Sequence, residues 1–185
     1  MFILQLLSNP AIAIVTLAAI VLAITVHEWA HAWTATRLGD DTPRLMGRVT
    51  LDPAAHIDPM GGLMFLLIGF GWGKPVIYNP LRLRRRVDEL LIALAGPISN
   101  LLTALIVNGI RVGLATAFNS NTSANWQAFL GYLVIVSYFN VVLAAFNLLP
   151  FPPLDGSSII AHFYRPWRDS RLRTRSSSSV VRIAR

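Results

Sequence analysis

Two histidines and a glutamate in the first apolar segment have the spacing of a metal site. The stretch VHEWAH at residues 26–31 places Glu28 directly after His27 and three residues before His31, which matches the HExxH pattern. Residues four apart lie on one face of a helix, so the two imidazoles can bind one zinc ion. Glu28 is then placed as a general base for a water molecule at the metal. The chain has no cysteine, so the other ligands must come from His, Asp or Glu.

The motif lies deep within its apolar segment. From Ala11 to His27 there are about 16 residues, or roughly 24 Å of helix at 1.5 Å per residue. The hydrocarbon core of a bilayer is about 30 Å thick, so the motif is expected inside the membrane, toward its cytoplasmic side. Ionisable residues at that depth are costly and usually functional. The alternative, a pair of structural histidines, would require a satisfied partner for each buried polar group.

Asp155 is the best candidate for a third ligand. A catalytic zinc takes three protein ligands and leaves one position for water. Asp155 lies in NLLPFPPLDG, residues 147–156, where prolines end the third apolar segment. A broken backbone at membrane depth is expected only beside a cavity, and the first and third segments both run inward to the same depth. The alternative is an Asp-Gly turn in a surface loop, the usual interpretation of that dipeptide alone.

The elements that must position these residues are predicted to be membrane helices. Of the 185 residues, 54% are hydrophobic and 14% are charged, whereas a soluble domain carries about a quarter charged residues. Three apolar segments, residues 11–33, 90–112 and 126–149, approach the ~20 residues needed to cross a bilayer. The shorter run 61–72 indicates a re-entrant or interfacial segment. The sequence therefore predicts an all-α membrane protein with about three transmembrane helices.

The charge pattern predicts topology and a domain boundary. The net charge is +7, with arginines concentrated in residues 37–86 and in the tail, while the loop 113–125 carries no charge. Because Lys and Arg favour the cytoplasmic side, we expect a multi-pass protein of the cell membrane with its site toward the cytoplasm. The basic loops lack interleaved aromatics, which argues against nucleic acid as a partner. A membrane domain over residues 1–164 and a basic, disordered tail over residues 165–185 are expected.

The N-terminal apolar segment is expected to be a retained span. No Lys or Arg precedes it, and it is longer than the apolar core of a signal peptide.

Taken together, the motifs resemble the site-2 protease family of intramembrane zinc metalloproteases. HExxH in one apolar segment and NLLPFPPLDG after a later one carry the resemblance. Four further motifs are similar to the compact bacterial-type branch: GRVTLDP at 47–53, HIDPMG at 56–61, GWGKP at 71–75 and AGPISN at 95–100. No segment is long enough for an inserted PDZ domain. Relatives usually continue past LDG with a further membrane helix, whereas a Ser- and Arg-rich tail follows here.

The resemblance implies roles for five residues. It implies one Zn²⁺ per chain, held by His27, His31 and Asp155, with Glu28 as the base. It also implies that Asn147 holds the substrate strand or polarises its carbonyl, while a helix-terminal hydrogen bond explains Asn147 as readily. Two more residues are substrate or oxyanion candidates, each with an alternative: His56 as the partner of a loop carbonyl and Asn100 as a bridge between helices.

The implied activity is zinc-dependent hydrolysis of peptide bonds in or near transmembrane segments. The substrate would be a transmembrane protein or peptide in the lipid bilayer, and its helix must unwind locally. The segment Gly61–Gly73, with five glycines, could act as a gate or as an edge for the extended substrate. Two alternatives stay open: an inactive protease-like scaffold, and a membrane metal-binding protein or transporter. A transporter would be expected to show polar residues along more than one span, often in repeated halves.

Overall fold

The structure is a computed structural model that describes residues 8–69, 71–118, 123–164 and 182–184. The elements in chain order are α1 (Pro10–Arg37), α2 (Thr42–Leu45), α3 (Pro59–Ile68), β1 (Val76–Tyr78), α4 (Arg86–Ala117), α5 (Ala124–Asn147), α6 (Asp155–Phe163) and β2 (Arg182–Ala184). Two short 3₁₀ turns, Pro53–Ala55 and Pro80–Arg82, lie before α3 and after β1.

Three of the helices, α1, α4 and α5, are long and apolar enough to cross a membrane. They contain 28, 32 and 24 residues and cover most of each predicted segment, which confirms the all-α membrane class. Helices α1 and α4 are longer than the predicted apolar runs, since α1 continues to Arg37 and α4 runs from Arg86 to Ala117. Arg37 lies in the last turn of α1, and Asp88 lies in the first turn of α4.

Side chains cap the N-terminal ends of α1 and α4. Asn9 Oδ1 accepts a hydrogen bond from the Ile12 N–H at 3.2 Å, and the first residue of α1 is a proline, which has no N–H to satisfy. At α4, Asp88 Oδ2 accepts from the N–H groups of Arg84 and Arg85 at 3.1 and 2.8 Å. These bonds fix the points at which the chain enters two of the three spans.

Small residues form the interfaces between the spans. Helix α4 packs against both α1 and α5, and α1 also contacts α5. The buried residues at these contacts are mostly small: Ala13, Ala19, Ala23, Ala30, Ala32, Ala35, Ala93, Gly96, Ala104 and Ala144. Large apolar side chains such as Leu105 and Ile106 are exposed and suit a lipid environment. Small residues permit the close helix approach that packing in lipid requires.

The segment between α3 and β1 folds back on itself. Helix α3 starts at a cap in which Asp58 Oδ1 accepts the Gly61 N–H at 2.9 Å, and it ends at Gly69, whose φ is +78°. The returning chain lies directly against the helix, since a Cβ at Gly61 would be 2.1 Å from the Trp72 carbonyl oxygen. A Cβ at Gly71 would likewise be 2.3 Å from the Gly61 carbonyl oxygen. With ten residues, α3 is too short to span, as expected for a re-entrant or interfacial piece.

A two-stranded antiparallel sheet, which the sequence did not predict, joins β1 to β2. Ile77 lies opposite Ile183, and Tyr78 lies opposite Arg182. The predicted disordered tail, residues 165–185, lies outside the described residues except for Arg182–Ala184. The extended backbone of Arg182–Ala184 therefore lies beside β1.

Candidate metal centre

His27 and His31 lie one turn apart on the same face of α1. Both are buried, and their Nε2 atoms are 3.0 Å apart. Their rings meet edge to face, with centroids separated by 4.6 Å. The helix therefore aims two imidazole nitrogens at one point, as the spacing predicts.

The first residue of α6 brings a carboxylate to the same point. Asp155 Oδ2 is 3.1 Å from His27 Nε2 and 3.3 Å from His31 Nε2. The turn that delivers Asp155 is tight: a Cβ at Gly156 would be 2.1 Å from the Leu148 carbonyl oxygen at the end of α5. Across the described part of the chain, His27, His31 and Asp155 form the group of side chains able to share one metal ion.

The second nitrogen of each imidazole is held by an oxygen acceptor. His27 Nδ1 is 2.7 Å from Asn100 Oδ1, and His31 Nδ1 is 2.7 Å from the Ile92 carbonyl oxygen. An oxygen acceptor requires a proton on Nδ1, so a neutral imidazole at either position carries its lone pair on Nε2. Each Nε2 then presents a lone pair to the shared point. This arrangement is the usual support for a metal-binding histidine.

The three converging atoms fit a cation. Two Nε2 lone pairs and one carboxylate oxygen face one another, and buried Asp155 Oδ2 has no hydrogen-bond partner among the described residues. Electron-pair donors so close repel unless a positive charge lies between them. A tetrahedral zinc with ligands at 2.0–2.1 Å places its ligand atoms about 3.3 Å apart. The separations of 3.0, 3.1 and 3.3 Å are close to that value.

Because Gly96 on α4 has no side chain, the two imidazoles can occupy the space next to its backbone. A Cβ at Gly96 would be 2.4 Å from His31 Nε2 and 2.6 Å from His27 Nε2. No side chain can be placed at such distances, so the α4 backbone itself forms one wall of the centre. In the sequence, Gly96 stood out only as part of the motif AGPISN.

A buried amide network connects the centre to α5. Asn100 Nδ2 donates to the Ala23 carbonyl oxygen at 2.9 Å and to Asn140 Oδ1 at 2.9 Å. Asn140 Nδ2 in turn donates to the Val136 carbonyl oxygen at 2.9 Å. Both amides are fully buried. Asn100 is thus at once a bridge between helices and the partner of His27.

Glu28 lies beside the metal ligands and faces the re-entrant segment. Its Oε2 accepts the Val76 N–H of β1 at 3.2 Å, and the Arg48 guanidinium lies 3.9 Å from the same oxygen. A Cβ at Gly73 would be 3.6 Å from Glu28 Oε1. The carboxylate is buried, so it is held by the protein rather than by bulk water.

His56 lies in the loop before α3 and is fully buried. Its Nε2 donates to the Thr50 carbonyl oxygen at 2.7 Å, and its own carbonyl oxygen accepts the Lys74 N–H at 2.6 Å. Burial lowers the pKa of His56 below its usual value, and the nearby Arg48 cation lowers it further, against the opposing effect of the Thr50 bond. His56 is therefore neutral at neutral pH and satisfies a loop carbonyl. Its oxyanion role stays a prediction.

Asn147 is the last residue of α5 and is buried. Its Nδ2 donates to the Leu143 carbonyl oxygen one turn earlier, at 3.0 Å, which is the helix-terminal bond considered above. The predicted role of Asn147 toward substrate stays a prediction, as does that of Asn100.

Sequence reasoning missed two contributors to the centre. Asn140 was not singled out, although an amide in the middle of a lipid-crossing helix is a signal for a polar partner within the bundle. The contact between Glu28 and the Val76 N–H was also missed. No local pattern predicted that β1 is a strand or that it lies beside α1.

Comparisons with known proteins find a matching family and several relatives. A sequence model of peptidase family M50 matches residues 109–185, which include Asn147 and Asp155. The chain is 40% identical over 149 residues to "Putative zinc metalloprotease YwhC" of Bacillus subtilis, covering 80% of this chain and 68% of that protein. It is 32% identical over 168 residues to "Putative zinc metalloprotease Rip2" of Mycolicibacterium smegmatis, covering 86% and 61%. The Rip2 protein of Mycobacterium tuberculosis is 31% identical over 170 residues, covering 88% and 62%.

The chain thus spans about two thirds of the length of these relatives, between 61% and 68%. No solved structure matches it.

Proposed function

The chain belongs to peptidase family M50, the site-2 protease family, and we propose that it is an intramembrane zinc endopeptidase. Its reaction is the hydrolysis of peptide bonds in or near transmembrane segments of membrane proteins. The observation that carries the proposal is the convergence of His27, His31 and Asp155 on one point, with Glu28 beside them.

Zinc is the cofactor of this family, and the donor set suits it. Two imidazole nitrogens and one carboxylate oxygen are among the ligands of catalytic zinc, which keeps a fourth position open for water or substrate. His27, His31 and Asp155 would hold the ion. When bound, zinc supplies Lewis-acid chemistry, because it acidifies a water molecule and polarises a carbonyl oxygen.

Glu28 is the general base and then the general acid. Its carboxylate accepts a proton from the attacking water as the new C–O bond forms at the scissile carbonyl carbon. The same carboxyl group then delivers a proton to the amide nitrogen as the C–N bond breaks. The Val76 N–H holds Oε2 during these steps, so that the carboxylate keeps one orientation.

Hydrophobic helices and the arginine pattern support a site within the membrane, near the cytoplasm. His27 lies in α1, one of the three helices able to span a bilayer. The arginine-rich connection from α1 to α4 would be cytoplasmic by the positive-inside rule, and the uncharged α4–α5 loop would be outside. With this topology, Glu28, α3 and β1 would lie toward the cytoplasmic side.

The substrate is proposed to bind as an extended strand. A transmembrane helix must unwind before its peptide bonds reach the centre, and the freed backbone groups then need partners. Strand β1 lies next to Glu28 and already accepts an extended partner in Arg182–Ala184. Addition of a strand to an exposed edge is a common way of binding peptides.

Three purified proteins test the proposal: the wild type, Glu28→Gln and Asp155→Ala. The measurements are zinc per chain and cleavage of a transmembrane peptide in liposomes. The wild type should bind one zinc and cleave, Glu28→Gln should bind zinc without cleaving, and Asp155→Ala should lose both. Zinc in the wild type without cleavage that depends on Glu28 would instead favour an inactive scaffold or a metal-binding protein.

A further inference from the structure

Arg48 is a buried cation that the proposed chemistry does not yet use. It lies in the loop after α2, outside the membrane-spanning helices. Its side chain is nevertheless buried, since only 5% of the residue is exposed. Arginine is almost never fully buried unless it is paired. A guanidinium in this position requires an explanation from its contacts, since a buried charge without partners is strongly destabilising.

The contacts of Arg48 connect two separate stretches of the loop region. One terminal nitrogen donates to the Ala55 carbonyl oxygen at 2.5 Å, and the other donates to the Lys74 carbonyl oxygen. A backbone bridge between Ile57 and Gly73 joins the same two stretches. Arg48 thus connects, by hydrogen bonds, the 3₁₀ turn before α3 with the segment that precedes β1.

The same guanidinium lies next to the general base. The nitrogen that binds Lys74 is 3.9 Å from Glu28 Oε2, the oxygen that accepts the Val76 N–H. Val76 is only two residues after Lys74. One cation therefore holds the strand segment that binds the carboxylate, and it also attracts the carboxylate directly in a buried setting where charges are poorly screened.

We propose that Arg48 is a positioning residue of the active site. It holds the Glu28 carboxylate and the start of β1 in one fixed relation, so that base and substrate-binding edge are presented together. A planar guanidinium with several fixed donors can serve two carbonyls and a carboxylate at once, which a lysine ammonium does less well. The inference rests on the proposed endopeptidase function.

Kinetics of Arg48→Gln and Arg48→Lys, compared with the wild type and with Arg44→Gln, test this role. Arg44 is a matched control because its side chain is 63% exposed and pairs with Asp41 at the surface. The measurements are kcat and KM for a transmembrane peptide in liposomes, together with zinc per chain. Arg48→Gln should keep its zinc and lower kcat by about tenfold or more, with KM little changed. A displaced general base forfeits part of the roughly 10²- to 10⁴-fold that such catalysis contributes.

Arg48→Lys should recover part of the lost kcat because it restores the charge, while Arg44→Gln should match the wild type. A wild-type kcat in Arg48→Gln would overturn the inference, and so would equal losses in the Gln and Lys variants. If Arg48→Gln fails to fold or to bind zinc, Arg48→Lys decides: intact zinc with a reduced kcat supports the role, and a wild-type kcat overturns it. Failure of the wild type to cleave would instead contradict the proposed function itself.

Discussion

The backbone of Gly96 lies against the imidazole of His31, so closely that a Cβ at Gly96 would be 2.4 Å from His31 Nε2. Helix α1 therefore carries the two histidines, and the glycine on α4 leaves room for their rings. Replacing Gly96 by alanine should displace both rings and abolish zinc binding, measured as zinc per chain after purification. Gly109→Ala, on the same helix at a position where no described atom lies within 4 Å of the added Cβ, should bind zinc normally. Full zinc occupancy in Gly96→Ala would contradict this account of the centre.

Removal of the amide partner of His27 should weaken zinc binding without abolishing it. Asn100→Ala leaves His27 Nδ1 without its acceptor, and loss of such supporting bonds costs about 10- to 100-fold in metal affinity. Competition with a zinc chelator measures the affinity directly. Asn108→Ala, an exposed asparagine on the same helix, is the control. An affinity unchanged from the wild type would show that Asn100 only bridges helices.

Asn140 should act on the same affinity through Asn100. Asn140→Ala removes the acceptor for one Asn100 N–H, so we expect a smaller loss of zinc affinity than in Asn100→Ala. The double variant should lose little more than Asn100→Ala alone, because both residues belong to one network. Strictly additive losses would indicate that Asn140 acts independently of His27.

Gly73→Ala should slow cleavage while zinc stays bound. A Cβ at Gly73 would be 2.9 Å from Ile24 Cγ2 and 3.3 Å from the His56 carbonyl oxygen, so the segment beside Glu28 must shift. The steady-state rate on a transmembrane peptide reports the effect. Gly62→Ala in α3 is the control, since among the described residues its Cβ would meet Ile57 at an ordinary 3.8 Å. Equal rates for the two variants would count against a role of this segment in presenting substrate.

Zinc removal should destabilise the bundle. Without a cation, Asp155 Oδ2 and the two Nε2 atoms are left facing one another in a buried site. Zinc at 100 times its Kd should raise the free energy of unfolding by about 2.7 kcal/mol. Thermal melts of chelated and zinc-restored protein in detergent measure the shift, and Asp155→Ala should show none. A zinc-dependent shift that persists in Asp155→Ala would place the metal elsewhere.

Local patterns were enough to predict the spans and the core of the site. Hydropathy depends on composition over about 20 residues, so the three spans could be identified without knowledge of their neighbours. The helical repeat places His27 and His31 on one face, again a local property. Asp155 required a topological argument as well, namely that two inward-running segments end at one depth.

The supporting groups could not be predicted, because they come from distant parts of the chain. Asn100 is 73 residues from His27, and the carbonyl that holds His31 is 61 residues away. No pattern within one segment records which face of α4 meets α1. The same is true of the Val76 N–H, which lies 48 residues from the carboxylate that it binds.

The sequence by itself thus determined the class of protein, the number of spans and the identity of the candidate ligands and base. Only the tertiary structure decided what surrounds them: the Gly96 backbone against the rings, the amides that set the His27 tautomer and the β1 strand at Glu28. The physical reason is that hydrophobicity and helical periodicity are encoded within each segment. Clearance, hydrogen-bond partners and strand edges exist only once the segments pack together.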